Sequence, residues 1–361
     1  MLRQENWFGL LSDRKESPLN LIVTILVSIL VFGTIIFVHE FGHFITAKLF
    51  GVTVDEFALG MGPAVLKKEK NGTMYALRAF PIGGFVKMQG EDNADDGERS
   101  DDPGLFYNKP CWQRMIILSA GAIMNLLLGL ILALAMTFSQ PVIPTNTVGL
   151  FEEGATSCET GLQLEDTICR INGIAVYTDR DIITQLLSDE DAMYEFVVRR
   201  NGEKITLPQV KLPVNGDSLV LDFKVYAKEK SFGNTLVYSG KSFLSLVRSI
   251  WLSLGDLIGG KVGFSELSGP VGVGEVIGQA VSAGWETFLY IAAFITVNIG
   301  IFNLLPVPAL DGGRLLFVLI EFIRGKPVAS KYEGMIHFVG LALLLSLMVA
   351  VTAKDILRLF Q

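Results

Sequence analysis

His39-Glu40-Phe41-Gly42-His43 places two imidazoles four positions apart with a carboxylate beside the first. On a helix, positions i and i+4 share one face, so both rings can bind a single zinc ion. Glu40 then stands where it can take a proton from water at that ion. The bland alternative is a pair of core histidines with a stray acid. The motif's position argues against it, because these residues end a long apolar run. A charged side chain in a membrane span is unfavourable by about 2.5–3.5 kcal/mol and needs a compensating partner, which a metal supplies.

A catalytic zinc needs a third protein ligand and an open position. The third histidine, His337, is one candidate, and Asp311 is the better one. Asp311 closes the segment Asn303-Leu-Leu-Pro-Val-Pro-Ala-Leu-Asp311-Gly-Gly. Its prolines break a helix, and its glycines let backbone approach closely. The ordinary role for Asp311 would be to cap the helix that follows.

The elements that must carry these groups follow from hydropathy. The chain has 361 residues, half of them hydrophobic and 19% charged, with a mean hydropathy of +0.45. Soluble domains carry about a quarter charged residues, so part of this chain is solvated by lipid. The net charge of -7 excludes the basic footprint of a nucleic-acid binder, and three cysteines are too few for a disulfide scaffold. Uncharged runs at Ser17–Val38, Met115–Phe138, Thr287–Leu310 and Gly334–Ala353 predict four spans. The first helix is expected to continue to Phe50, and a further apolar helix is expected at Gly313–Phe322. In the third run, Asn303, Pro306 and Pro308 predict a tail that is not regular helix. The mixed charge of Met1–Glu16 is unlike a signal peptide, so the first span reads as retained.

Between the spans, residues 144–230 read as a water-soluble domain of short strands and one helix. Lys241–Leu257 is amphipathic, suited equally to a membrane interface or to packing on neighbours. Met74-Tyr-Ala-Leu-Arg-Ala-Phe80 is strand-like, follows the turn pair Asn71-Gly72 and leads to a hinge at Gly83-Gly84. Glu91–Asp102 reads as a solvated acidic loop, and the glycines at 272, 274 and 278 have the wrong spacing for a dinucleotide site. Lysines and arginines crowd the loops after the first and third spans, which predicts that those loops are cytoplasmic and the soluble domain outside.

The two zinc segments together resemble the site-2 protease family, in its bacterial RseP-type branch. Phe80-Pro-Ile-Gly-Gly-Phe-Val-Lys-Met88, Gly121-Ala-Ile-Met-Asn125 and Ser268-Gly-Pro-Val-Gly272 match in the same order. The resemblance implies an intramembrane zinc metalloprotease, with His39, His43 and Asp311 holding Zn²⁺ and Glu40 as general base. It implies a substrate that is a single-span membrane protein, such as an anti-sigma factor or a signal-peptide remnant, already trimmed by another protease. It places Gly83, Gly84, Phe85, Val86 and Lys87 on a membrane-associated β-hairpin that contacts substrate, with Asn298 and Asn303 on the substrate side of an unwound helix. The segment Val148–Val225 resembles a single PDZ domain, with Glu165-Asp166 where Gly-Asp is usual; it would serve as a peptide-end receptor or as a size filter. Cys158 and Cys169 are expected to be free, partly buried thiols.

The expected fold is therefore a polytopic α-helical membrane protein with about four transmembrane helices, a membrane-associated β-hairpin and one inserted α+β PDZ-like domain. The expected division is 1–50 (first span and zinc motif), 51–110 (cytoplasmic loop and hairpin), 111–143 (second span), 144–230 (PDZ-like domain), 231–284 (amphipathic helix and connector) and 285–361 (last spans and third ligand). The expected location is a bacterial plasma membrane, with the active site near its cytoplasmic side. The rival reading is a non-catalytic PDZ-containing receptor with a structural zinc, which would need a closed shell of four protein ligands. A metal transporter would need repeated intramembrane ligands, and the sequence shows one cluster.

Overall fold

The computed structural model describes residues 18–91, 100–187, 192–215, 218–261, 263 and 267–358. The charged N-terminal stretch and most of the acidic loop at Glu91–Asp102 lie outside the described residues. The chain divides into two compact units, one of residues 1–129 with 256–361 and one of residues 130–255.

The first unit begins with helix α1 (Pro18–Leu49), continues through strands β1 (Val54–Lys70) and β2 (Thr73–Met88), and enters helix α2 (Cys111–Ser139). Four helices are long and apolar enough to cross a membrane: Leu21–Leu49, Cys111–Ser139, Trp285–Leu304 and Lys331–Arg358. Their outer faces carry Leu30, Phe338 and Leu343, each about two-thirds exposed or more. Such faces are at home against lipid tails, which are as apolar as the side chains themselves. The protein is an integral membrane protein. Each span is a helix because hydrocarbon leaves backbone groups no partner but their own chain.

The two long strands fold back on themselves. Asn71 and Gly72 both have positive φ (52° and 72°), and Lys70 pairs with Thr73 across this tight turn. Positive φ at Gly60, Gly62 and Gly83 bends the strands again. Phe57 consequently lies opposite Tyr75 on one side and Val86 on the other. The segment Gly84–Met88 is thus an edge, and among the described residues no strand pairs with its far side. Ala47, Val54, Phe57, Val86, Ile117, Leu118 and Val318 form one buried cluster. That cluster fixes the end of α1 against the sheet, α2 and the later helix that carries Val318.

The second unit, which takes in the end of α2, contains β3 (Ile143–Phe151), α3 (Thr156–Glu159), β4 (Thr167–Ile171), β5 (Ile174–Ala175), α4 (Asp179–Leu187), β6 (Met193–Arg200), β7 (Glu203–Lys211), β8 (Val214–Asn215), β9 (Ser218–Leu219), β10 (Phe223–Lys228) and most of α5 (Phe232–Ile258). One six-stranded sheet runs in the order β10-β3-β4-β6-β7, with β5 on β4. Its core holds Val148, Ile168, Ile171, Tyr194, Phe196 and Phe223, all at 1% exposure or less. Asp166 is fully buried and accepts both ends of the Arg200 guanidinium at 2.7 and 2.8 Å. Its neighbour Glu165 sits at φ 70°, a backbone state that a Cβ disfavours by about 1–2 kcal/mol. Glu165→Gly is expected to stabilise this unit by about 1 kcal/mol. The change would appear as slower hydrogen exchange of the β4 and β6 amides, and unchanged exchange would contradict it.

The amphipathic stretch at 241–257 is part of the longer helix α5, which packs on its own unit. Tyr238 donates to Asp179 at 2.5 Å, and Arg248 to Asp181 at 2.6 Å. Burial raises the pKa of the Asp179 carboxyl. Burial and the nearby Asp179 charge raise that of the Tyr238 hydroxyl, which therefore stays a donor. Cys158 and Cys169 are both free thiols. Cys158 is exposed rather than partly buried, because it falls on the short surface helix α3.

In the first unit, helix α6 (Pro270–Ala283) forms where the sequence predicts a connector. Its glycines weaken any helix signal. Tertiary contacts compensate: Ile277 packs with Val31, Ile35 and Ile295, and Asp355 accepts the Gly269 and Gly272 amides at 2.9 Å. Helices α7 (Trp285–Leu304), α8 (Asp311–Arg324) and α9 (Ser330–Arg358) complete the unit.

Candidate metal centre

His39 and His43 lie well inside α1, one turn apart, with their Nε2 atoms 3.2 Å from each other. Asp311 Oδ2 lies 2.9 Å from His39 Nε2 and 3.2 Å from His43 Nε2. These three form the one group among the described residues able to hold a metal ion. Zinc–nitrogen bonds of 2.0–2.1 Å at tetrahedral angles would separate ligand atoms by about 3.3–3.4 Å. The observed triangle is close to that size, so the donor set fits zinc.

Two of the donors are held from behind. His43 Nδ1 donates to the Ile117 carbonyl at 2.8 Å, which frees Nε2 as a ligand. Asp311 is delivered by the break after α7. Leu305 precedes Pro306 and leaves the helical region (φ -67°, ψ 145°), as steric contact with a following proline requires. The chain then turns through Ala309 at φ 72° and restarts as α8 at Asp311. Leu310, not Asp311, holds the capping position, so the Asp311 carboxylate is spent on the imidazoles rather than on a helix end. Gly312 and Gly313 let the returning loop lie directly on the start of α8, where a Cβ would strike the backbone of residues 304–308. Gly121 of α2 faces the two imidazoles so closely that a Cβ there would overlap both rings.

The other sequence candidates fall in different places. His337 is not among the metal group; its Nδ1 accepts the Ala309 amide at 2.9 Å and so steadies the loop that carries Asp311. Asn298 and Asn303 both lie in regular α7, and Asn303 bonds back to the Ile299 carbonyl at 2.9 Å. The expected unwound stretch is confined to residues 305–310, beyond both asparagines, because the disruption begins at the residue before Pro306. Gly84 runs directly past Glu40: a Cβ on it would meet Glu40 Cγ at 2.9 Å. Gly83 supplies the bend at φ 76°. The Phe85 ring lies under the Arg78 guanidinium at 5.0 Å, Val86 is buried in the core, and Lys87 is exposed. Of Val86, only the backbone is available to a partner.

Sequence reasoning missed two ties. Arg114 of α2 grips Glu321 of α8 through both guanidinium ends, at 2.5 and 3.0 Å, and secures the helix that begins at Asp311. Asp355 anchors α6. Neither has a signal in local spacing, since the partners are far apart in the chain.

Three protein donors are the complement that a catalytic zinc takes, whereas a structural zinc takes four. Their setting among membrane helices, with Glu40 alongside, makes this a membrane-embedded zinc metallopeptidase. Known sequences specify which kind: residues 27–347 match peptidase family M50, and the chain belongs to that family. It is 37% identical over 348 residues to a protein of Fusobacterium nucleatum, an alignment covering 94% of this chain and 100% of that relative. It is also similar to the zinc metalloprotease RasP of Shouchella clausii (31% identity, 94% of this chain, 100% of the relative). The regulator of sigma-W protease RasP of Bacillus subtilis is 30% identical (93% of this chain, 99% of the relative).

Proposed function

We propose that the enzyme hydrolyses a peptide bond in the transmembrane segment of a single-span membrane protein, using His39, His43 and Asp311 as zinc ligands and Glu40 as the proton carrier. The observation that carries this reading is the edge Gly84–Met88, unpaired among the described residues, which passes beside Glu40 at Gly84. A peptide bond within a helix is shielded by its own turns. Added as a strand to this edge, a substrate segment would be extended and presented to the site.

When bound, zinc supplies a Lewis acid that acidifies water and polarises a carbonyl. Glu40 takes the proton from the attacking water and returns it to the leaving amine. The backbone of Gly84 and Val86 aligns the substrate, and Asn298 and Asn303 line the same side farther along. The strand pair β1–β2 acts as a membrane-associated hairpin. The sheet of residues 143–228 serves as a PDZ-like domain on the outer face, with the active site toward the cytoplasmic side, as the Lys and Arg of the loops around it favour. The substrate arrives with its outer portion removed by an earlier protease. An anti-sigma factor is one such substrate, in keeping with the Bacillus subtilis relative's name as a regulator of sigma-W protease.

The test uses purified enzyme in lipid vesicles with a single-span substrate, either full-length or truncated outside the membrane. Cleavage of the truncated form at least about tenfold faster, and loss of cleavage on removing zinc with a chelator, are expected. Gly84→Val should eliminate cleavage while zinc stays bound, because the side chain would invade the space of Glu40 and Ile36. Normal cleavage by Gly84→Val would defeat the strand-addition reading.

A further inference from the structure

Asn125 of α2 is completely buried, and its Nδ2 lies 3.3 Å from His39 Nδ1. Its Oδ1 is buried without a hydrogen-bond partner. In this orientation the amide donates to Nδ1, so the imidazole proton would sit on Nε2. That is the atom pointing at Asp311 and needed for the metal. A carboxamide turned by 180° exchanges its two ends with almost no change of shape. The turned amide places Oδ1 against His39 Nδ1, accepts its proton, satisfies the orphaned oxygen and frees the Nε2 lone pair. One rotation resolves both anomalies.

We propose that Asn125 is the positioning residue for His39, fixing by its carboxamide oxygen the tautomer in which Nε2 can hold zinc. The inference rests on the zinc assignment of the preceding subsection. Helix α2 then serves both histidines from one face. The Ile117 carbonyl orients His43, Gly121 leaves room above both rings, and Asn125 orients His39, at steps of four residues. The order is reversed along α1, as expected for two antiparallel helices in register. Buried acceptors behind metal-bound imidazoles commonly change metal affinity by about 10–100-fold.

The experiment compares the full-length zinc-loaded protein with Asn125→Leu and Asn125→Asp, reading zinc retained against a chelator series as well as cleavage. Leucine keeps the volume and removes the acceptor; aspartate can only accept. The expected result is zinc affinity reduced about 10–100-fold in Asn125→Leu and held within a few-fold of the unmodified protein in Asn125→Asp. Two outcomes overturn the proposal: folded Asn125→Leu retaining zinc as tightly as the unmodified protein, or Asn125→Asp losing zinc as leucine does, which would show that the amide acts as a donor. If the leucine variant does not fold, the aspartate variant alone decides. If the unmodified protein takes up no zinc, the ligand assignment fails first, and this inference fails with it.

Discussion

Glu40→Gln is expected to leave zinc bound at one ion per chain and to lower cleavage of a single-span substrate by about 10²–10⁴-fold, the range that a positioned acid–base group contributes. The amide is nearly the same size as the carboxylate, so the packing beside Gly84 is preserved. It cannot accept the proton of the attacking water. Glu40 is not one of the three metal donors, so affinity for the ion should change little. Wild-type turnover with zinc and fold intact would remove Glu40 from the mechanism. The same variant separates protease from receptor, since a receptor with a structural metal has no use for a base at this point.

Gly121→Ala is expected to do the converse, losing zinc and cleavage together. The added methyl would overlap His43 Nε2 and the His39 ring. Either α2 withdraws from α1 or the imidazoles swing off their triangle with Asp311. Withdrawal would also separate the Ile117 carbonyl from His43 and Asn125 from His39. Overpacking of this kind typically destabilises a fold by about 1–3 kcal/mol, which a membrane helix pair can survive. Zinc affinity should fall by at least about tenfold, the lower end for disturbed ligand orientation. Metal content and cleavage rate after purification in detergent measure both, and native values for either would show that the helices yield without moving the ligands.

These two variants touch residues of different visibility. Glu40 stands out in the sequence because its histidine neighbours are three and one positions away, and helical spacing alone brings them to one face. Gly121 and Asn125 stand in an apolar run, marked only by the family resemblance, and neither spacing nor hydropathy gives them a role. Only the packing of α2 against α1 brings one of them over both imidazoles and the other within 3.3 Å of His39. The same contrast runs through the fold. Apolar runs of sufficient length marked the four spans, because lipid permits no other solution for their backbones. The turn at Asn71-Gly72 was equally plain, since both residues tolerate positive φ. Helix α6 was hidden, because its glycines argue against a helix and its support comes from Asp355, 83 and 86 residues along the chain.

The spans, the paired imidazoles with their neighbouring acid and the proline break that ends α7 were all legible in the chain. All of these depend on residues close together in the chain, where periodicity and backbone stereochemistry decide. Tertiary structure alone brings Asp311, rather than His337, beside the two imidazoles, a contact 268 positions from His43. It also decided that the asparagines of α7 stay helical and that the edge at Gly84 lies beside Glu40. Such matters depend on which surfaces meet. Lipid rewards every apolar face about equally, so only close packing of small residues and the satisfaction of buried polar groups select the partner.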